Sequence, residues 1–195
     1  MNMFNFKLFL QFDLDTIMSN NKDIVETNDS YGDTPPRLES YYQDDNNELV
    51  FVSNFCQPSE REENVRMAMF LADNTKENIY ILPLIQPTQK NAESLRREYF
   101  PEGVKNGKNP DYYFRGRFVD GKSMIDVKES EIKTIKRKIQ NRLSKAFRQA
   151  DDAFLEIPDF ISINLLEDAV RGRLNSSRHK HLVYIKQGET FLVFP

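Results

Sequence analysis

The chain has 195 residues, of which 39% are hydrophobic and 29% are charged, and its formal net charge is -3. This length is sufficient to bury a core without disulfides or a structural metal. No apolar run approaches the roughly 20 residues that a bilayer span requires. The apolar start of the chain lacks a basic region and a small-residue cleavage site. We therefore predict a protein without a membrane span or a secretory signal.

The single cysteine, Cys56, excludes an internal disulfide. A chain without disulfides suits a reducing compartment, and we expect the cytoplasm. No histidine or cationic residue flanks Cys56 to activate its thiol. We predict that Cys56 is a small, half-buried apolar residue and not a nucleophile.

Charge is distributed unevenly along the chain. Residues 1–63 carry 13 acidic and 4 basic residues, whereas residues 64–195 carry 17 acidic and 23 basic residues. Residues 19–48 are rich in Asn, Asp, Ser and Pro and contain few apolar side chains, which is typical of a linker. The composition predicts a flexible polar and acidic segment over residues 1–47 and one domain over residues 48–195. A basic part within an acidic chain hints at a polyanionic partner.

The first predicted elements of the domain are a strand, a helix and a second strand. The strand covers residues 48–53. Ser59 can cap the helix that follows, and Glu62 lies three residues later to close a capping box. The apolar run of residues 79–85 predicts a buried strand, which Pro83 interrupts or ends. A short helix is predicted around residues 92–98.

The second half of the domain begins with aromatic and β-branched residues between positions 111 and 128. Breaks at Gly116 and at Asp120-Gly121 predict a hairpin or meander there. Residues 131–150 form the clearest amphipathic helix. A strand at 153–157, a helix at 163–174 and a closing hairpin of residues 181–185 and 190–194 complete the pattern. This order of elements predicts a single α/β domain.

One segment carries a pattern of residues suited to metal chemistry. Asp111 follows Pro110, and fourteen residues separate it from Asp126-Val127-Lys128. Two carboxylates can hold a hard cation such as Mg²⁺. On a strand, Asp126 and Lys128 would point to the same face. Such a set can polarise a phosphoryl group, position a water and counter the charge of a transition state.

The helix over residues 131–150 is strongly basic outside its apolar stripe. One interpretation is a solvated amphipathic face. The other is a surface that contacts the phosphate backbone of a nucleic acid, with salt-dependent affinity and little sequence selectivity. The candidate contact residues are Lys133, Lys136, Arg137, Arg142 and Lys145.

Pro-Asp followed by Asp-x-Lys resembles the signature of the PD-(D/E)xK nuclease superfamily. Glu-Glu-Asn-Val-Arg-Met-Ala-Met-Phe-Leu-Ala at residues 62–72 and Arg-Gln-Ala-Asp at residues 148–151 flank that signature. The whole order resembles the C-terminal tRNA-nuclease domain of contact-dependent growth inhibition toxins. The resemblance covers residues 58–195 and leaves residues 1–50 outside it.

This resemblance implies a restriction-endonuclease-like mixed sheet flanked by helices, and a metal-dependent endonuclease. It implies Asp111 and Asp126 as central metal ligands, and Glu63, or else Glu62, as a third carboxylate. Lys128 would be the catalytic cation and Gln149 a supporting polar residue. The implied metal is Mg²⁺, with Mn²⁺ or Zn²⁺ as alternatives. The implied substrate is nucleic acid, with tRNA favoured over DNA, and an acidic immunity protein is a possible partner.

Two other functions fit the same sequence. His179 and His181, two positions apart, could serve as acid and base in a metal-independent ribonuclease. They could also bind a transition metal or simply lie in a polar turn. Alternatively, the domain could bind nucleic acid or protein without cleaving it. Each candidate residue also has an ordinary structural interpretation, as an exposed strand, turn or helix residue.

Overall fold

The computed structural model describes residues 35, 37–56, 58–100, 104 and 107–195. In this part of the chain, an eight-stranded mixed sheet is flanked by four α-helices. The predicted α/β class, with a mixed sheet between helices, is confirmed. Most of the predicted N-terminal segment, residues 1–34, lies outside the described residues.

The strands follow one another across the sheet in chain order. They are β1 Tyr41–Asp44, β2 Asn47–Ser53, β3 Ile79–Ile81, β4 Tyr112–Phe114, β5 Arg117–Ser123, β6 Asp152–Ile157, β7 Val183–Gln187 and β8 Thr190–Phe194. β2 and β3 are parallel, as are β5, β6 and β7. The remaining neighbours are antiparallel.

The helices connect the parallel strands or precede β4. They are α1 Pro58–Thr75, α2 Ala92–Tyr99, α3 Ile132–Ala146 and α4 Ile163–Leu174. Alternation along each strand gives the sheet two apolar faces. One face packs against α1. The other packs against α2 at one end of the sheet and against α3 and α4 at the other.

The first strand corrects the predicted domain boundary. Tyr41–Asp44 pairs with β2, so the sheet begins before residue 48, the predicted start of the domain. Side chains of Tyr41, Tyr80 and Tyr99 pack edge to face in the apolar cluster under α2. The polar composition around residues 41–47 concealed this strand because it lies at the edge of the sheet.

The hairpin between β4 and β5 turns at Arg115-Gly116 and not at Asp120-Gly121. Arg115 and Gly116 both have positive φ, 51° and 70°, which is the geometry of a two-residue type I′ turn. Asp120-Gly121 instead lies within β5, where it pairs with Ala153 and Phe154 of β6. Pairing with β6 overrides the local turn preference of Asp-Gly.

Other predicted elements are confirmed with small shifts of their ends. α1 begins at Pro58, and α4 begins at Ile163 after the Ser162 side chain, which accepts from the Leu165 N–H. The predicted strand of residues 79–85 is shorter, since β3 ends at Ile81. Cys56 is half-buried and packs beside the cluster under α1, as predicted. Among the described helices, none is long and apolar enough to cross a bilayer.

Candidate active site

Asp111, Asp120 and Lys122 meet on one face of the sheet. Asp120 and Lys122 are two positions apart on β5, so their side chains point the same way. Asp111 lies next to them, because its N–H donates to the Val119 carbonyl at 3.1 Å. This face is the one that α2, α3 and α4 cover, and the three side chains lie between the two apolar clusters on it.

The Lys122 ammonium lies between the two carboxylates. Its Nζ is 2.5 Å from Asp120 Oδ2 and 3.7 Å from Asp111 Oδ2. The Gly121 N–H donates to Asp111 Oδ2 at 2.7 Å, and Lys122 Nζ donates to the Gly121 carbonyl at 2.8 Å. The backbone of Gly121 therefore fixes the position of the Asp111 carboxylate relative to Asp120 and Lys122.

Gln149 completes this group from the end of α3. Its Nε2 donates to Asp120 Oδ1 at 2.8 Å. The resemblance implies a supporting polar role for Gln149, and in the structure its hydrogen bond is to Asp120. Because one oxygen of Asp120 is bound by Gln149, the other oxygen, Oδ2, faces the lysine and Asp111.

Burial gives the two carboxyl groups unusual proton affinities. Asp120 is fully buried. Burial and the neighbouring Asp111 carboxylate raise the pKa of Asp120 to about 7, against the opposing effect of Lys122. Burial also raises the pKa of Asp111, while Lys122 and the Gly121 N–H oppose the increase. A pair of close carboxyl groups behaves in this way when they compete for one proton.

Two other buried carboxylates have cationic partners of their own, whereas Asp120 shares Lys122 with Asp111. Asp152 accepts from Arg117 on both oxygens, at 2.7 and 2.8 Å, and from the Leu182 N–H. Glu156 accepts from Arg66, Lys186 and Ser123. Burial alone would raise the pKa of Glu156, but these hydrogen bonds lower it to about 2. The partner of Asp120 Oδ2 is the Lys122 ammonium at 2.5 Å, a cation that Asp120 shares with Asp111.

The raised pKa of Asp120 predicts an unusual dependence of stability on pH. The folded protein holds this proton up to about pH 7, whereas an unfolded aspartate, with a pKa near 3.8, releases it earlier. Protonation therefore favours folding, and this contribution is lost as pH rises from about 4 through 7. We expect Asp120→Asn to gain stability relative to the natural protein over this range, by up to about 1.4 kcal/mol per pH unit.

Urea unfolding in chelator at pH 5, 6, 7 and 8 measures this gain. Asp126→Asn, which removes an exposed carboxylate, is the control. A difference between Asp120→Asn and the natural protein that stays constant from pH 5 to 8 would contradict the assigned environment of Asp120.

Gly121 allows the close packing behind the two carboxylates. A Cβ at this position would lie 2.8 Å from Tyr112 Cε2 and 3.2 Å from the Tyr112 hydroxyl. Tyr112 is fully buried and its hydroxyl lies against Asn64 of α1, so the ring has no room to move away. The residue between Asp120 and Lys122 must therefore lack a side chain.

We expect Gly121→Ala to destabilise the protein by about 1–3 kcal/mol, as overpacking in a core does. It should also reduce any activity of the site, because β4 and β5 must separate to admit the methyl group. Gly172→Ala is a matched control, since its Cβ would meet only the flexible end of Gln140, at 3.0 Å. Thermal unfolding of both variants should show a loss for Gly121→Ala alone.

Asp126 and Lys128 do not join Asp111, contrary to the sequence-based prediction. β5 ends at Ser123, and the two residues lie beyond it, in the connection to α3. Asp111 lies opposite Val119, four residues before the end of β5, which is about 13 Å along a strand. Both Asp126 and Lys128 are exposed, and the Lys128 N–H donates to Glu131. The same-face argument failed because residues 126–128 are not a strand.

The predicted third carboxylate is also separate from the pair. Glu62 and Glu63 are exposed on α1. The charge of Glu63 acts on Tyr112 and Arg66. Glu60, one turn earlier, is the α1 residue whose charge raises the pKa of Asp111.

A groove of about 360 Å³ runs beside α3 on the side away from α4. Gln140 and Ser144 face α4, where they bond Ala169 and Arg173. The side of α3 away from α4 carries Arg142 and Lys145, and Gln149 follows one turn later on the same side, next to the carboxylate pair. The groove is lined by Met124, Asp126, Val127, Glu131, Lys138, Asn141, Arg142 and Lys145.

Only part of the predicted nucleic-acid surface lines this groove. Arg142 and Lys145 do so. Lys136 instead pairs with Asp168 of α4 at 2.6 Å. Lys133 and Arg137 are exposed and lie outside the groove lining. The basic helix thus presents two of the five predicted cations toward the candidate site.

The two histidines lie before β7 and not on a strand. His181 stacks on Phe147, with ring centroids 3.9 Å apart, and its Nδ1–H donates to the Asp151 carbonyl. Burial lowers the pKa of His181, so the ring is neutral near pH 7. His179 is exposed, 6.1 Å from His181 between ring centroids. His181 thus holds the loop against the end of α3, in keeping with the polar-turn interpretation.

The sequence analysis missed Asp120 and Lys122 as site residues. The same Asp-x-Lys pattern occurs twice, at residues 120–122 and 126–128. Asp120-Gly121 was assigned to a turn because Asp-Gly favours turns. The two copies differ in their position relative to β5. Because the two-residue turn at Arg115-Gly116 starts β5 at Arg117, Asp120 and Lys122 lie within the strand and residues 126–128 lie beyond it.

The donor set suits a hard divalent cation bound by few protein ligands. No group of three or more His, Cys, Asp and Glu residues in the described part of the chain could hold a metal ion. Mg²⁺ commonly binds through one or two carboxylates and completes its shell with waters and substrate phosphates. Asp111 and Asp120, two neighbouring carboxylates that share one ammonium, fit that mode.

The chain has no significant match among protein-family models, among curated proteins or among solved structures.

Proposed function

We propose that the chain is a divalent-metal-dependent nuclease whose site consists of Asp111, Asp120, Lys122 and Gln149. The observation that carries the proposal is the carboxylate pair, one member fully buried and the other partly exposed, with an ammonium between them. The resemblance to PD-(D/E)xK nucleases supports it, with Asp120-Gly121-Lys122 in place of the predicted Asp126-Val127-Lys128. If α2 is left out, the elements from α1 to β6 follow the order α1, β3, β4, β5, α3 and β6. This order is compatible with a restriction-endonuclease-like arrangement.

The pair is unlike a structural ion pair in its energetics. Structural buried carboxylates are paired so that every lone pair is satisfied, as Asp152 is. Burial and the Asp111 carboxylate raise the pKa of Asp120, and a carboxylate kept in such surroundings is costly for a structural role. Groups with strongly shifted pKa values cluster at functional sites. The arrangement is therefore best explained by a ligand that the two carboxylates bind together.

Each residue has a role in phosphodiester hydrolysis. Water adds to phosphorus, the bond from phosphorus to the leaving oxygen breaks, and that oxygen takes up a proton. Asp111 and Asp120 would hold the cation, which supplies Lewis-acid stabilisation to the phosphoryl group. Lys122 provides a fixed positive charge for the negative charge that develops on the phosphoryl oxygens. Gln149 orients Asp120 through its hydrogen bond.

The groove beside α3 supports a nucleic-acid substrate. Arg142 and Lys145 line it, next to the site residue Gln149 in the chain. Cations along a groove bind the phosphate backbone with little dependence on sequence. Lys138 contributes less net charge, because it pairs with Glu131. The preference for RNA, and tRNA in particular, rests on the resemblance to toxin domains, as does an acidic immunity protein as partner.

We expect Arg142→Ala/Lys145→Ala to bind an oligonucleotide about tenfold more weakly near 0.1 M salt. The slope of log affinity against log salt should fall by about one to two, because each lost cation releases one fewer counterion. Lys133→Ala/Arg137→Ala removes the same charge from the same helix outside the groove, and its affinity should change by less than about twofold. Equal losses in the two double variants would show that α3 acts only through its total charge.

The experiment that tests the proposed function is a cleavage assay. Total tRNA, single-stranded DNA and double-stranded DNA are incubated with purified protein in Mg²⁺, Mn²⁺, Zn²⁺ or chelator. Cleavage that requires the metal supports the proposal, and the substrate that is cut identifies the class of nucleic acid. Intact substrates under every condition would refute the nuclease and leave a binding module. Cleavage that survives chelator would favour the metal-independent alternative with His179 and His181.

A further inference from the structure

A loop of three residues, 178–180, lies shortly before β7. Arg178, His179 and Lys180 are exposed. We propose that this loop is a second contact for the phosphate backbone of nucleic acid, so that the carboxylate pair lies between two cationic surfaces. This inference rests on the proposed nuclease function, since it extends the substrate surface of the same site.

The loop is held in place and does not merely project into solvent. Arg117 of β5 donates to the Lys180 carbonyl at 3.3 Å. His181 stacks on Phe147 at the end of α3, and Arg173 of α4 lies over the same Phe147 ring at 5.5 Å. Because these contacts use the backbone and His181, the side chains of Arg178 and Lys180 remain available for a ligand.

The cations of the loop are not neutralised by nearby acids. Arg178, Lys180 and Arg148 form no ion pair among the described residues. The nearest acidic residues in the chain are directed inward. Asp151 accepts from the Phe118 N–H, and Asp152 is buried against Arg117. The exposed residues 178–180 therefore present the cations Arg178 and Lys180 at this end of β7.

The loop and the groove lie at opposite ends of the candidate site. α3 runs from the connection after β5 to the start of β6, so its groove residues precede Gln149. Residues 178–182 follow on the far side of Gln149, where the Leu182 carbonyl accepts from the Ala153 N–H of β6 at 3.1 Å. A phosphate chain that follows Arg142 and Lys145 to the carboxylate pair would continue past Arg148 toward Arg178 and Lys180.

A polyanion with regularly spaced charges fits this arrangement better than a single anion. The cations lie on separate elements, Arg142 and Lys145 on α3 and Arg178 and Lys180 in the loop before β7. Backbone contacts of this kind give affinity and register but little sequence selectivity. The expected ligand is a nucleic-acid strand long enough to reach both surfaces.

The test is binding of a fluorescent single-stranded RNA of 12 nucleotides, and of a duplex DNA of the same length, in chelator. Arg178→Ala/Lys180→Ala should bind about tenfold more weakly near 0.1 M salt, with a salt slope reduced by about one to two. Lys133→Ala/Arg137→Ala is the matched control and should bind as the natural protein does. An unchanged affinity and slope in the loop variant would overturn the inference.

Two further measurements separate this inference from the proposed function and from another partner. Hydrolysis of bis(p-nitrophenyl) phosphate in Mn²⁺ reports the carboxylate site alone, and the loop variant should retain the natural rate. A loss of that rate in the loop variant would overturn the assignment of the loop to substrate binding only. If the loop variant loses affinity for vesicles of 30% phosphatidylserine while RNA binding is unchanged, the loop contacts a membrane surface and the inference is wrong.

Discussion

Lys122→Ala and Asp120→Asn should each reduce nucleic-acid cleavage by about 100- to 1,000-fold or more, while Lys128→Ala should retain cleavage within about threefold. Lys122 lies 2.5 Å from Asp120 and 3.7 Å from Asp111. Its ammonium is therefore close to the negative charge that develops on the phosphoryl oxygens in the proposed reaction. Removing one preorganised electrostatic group from a buried site commonly has an effect of this size. Lys128 is exposed in the connection after β5, so its removal should be nearly neutral.

The comparison of the two lysines is informative because both belong to an Asp-x-Lys sequence. Initial rates under saturating Mg²⁺, together with thermal unfolding of each variant, separate a catalytic loss from a loss of folded protein. Lys122→Arg keeps the positive charge with a different geometry, and we expect it to restore only part of the rate. If Lys128→Ala were inactive and Lys122→Ala active, the original choice of Asp126 and Lys128 would be correct.

Arg117→Leu should reduce the free energy of unfolding by about 3–5 kcal/mol, the largest effect on stability that we expect from a single change. Arg117 binds both oxygens of Asp152, whose side chain is completely buried. Burial raises the pKa of Asp152 even with Arg117 in place. Without Arg117, the pKa should rise further, and the loss of stability should be greater at pH 8 than at pH 5.

Arg171→Ala is the control for Arg117→Leu. Arg171 pairs with Glu167 at the same 2.7 Å, but both side chains are largely exposed. An exposed pair contributes about 0.2–1 kcal/mol. Urea unfolding of both variants therefore measures the effect of burial on otherwise similar ion pairs. Equal losses would mean that the burial of Asp152 does not govern the contribution of its partner.

The class of fold and most elements could be predicted from the sequence. The apolar residues of α3 recur every three or four positions, which indicates a helix. Three of them, Ile135, Ile139 and Leu143, are fully buried. The apolar runs that became β3 and β6 were identified by composition in the same way. These elements are local, so nearby residues are sufficient to indicate them.

The ends of strands were less predictable, because they depend on partners distant in the sequence. β5 continues through Asp120-Gly121 since Val119 to Ser123 pair with β6, more than 30 residues later. β1 was hidden because it is short, polar and at the edge of the sheet, where one pairing with β2 is sufficient to order it. Local preferences gave the wrong answer at both places.

The same dependence explains which parts of the candidate site could be predicted. Asp111 and Gln149 were predicted to belong to one group, and both interact with Asp120. The choice between two Asp-x-Lys copies required the position of the end of β5. Lys136 also appeared free in the sequence, and its partner Asp168 is 32 residues away on a neighbouring helix.

The most direct test of the central claim is calorimetric titration of Mn²⁺ into the natural protein, Asp120→Asn and Asp126→Asn at pH 7.5, without nucleic acid. If Asp111 and Asp120 form the metal site, the natural protein and Asp126→Asn will bind Mn²⁺ with similar affinity, and Asp120→Asn will show no measurable binding. Mn²⁺ binding by Asp120→Asn that equals that of the natural protein would contradict the claim.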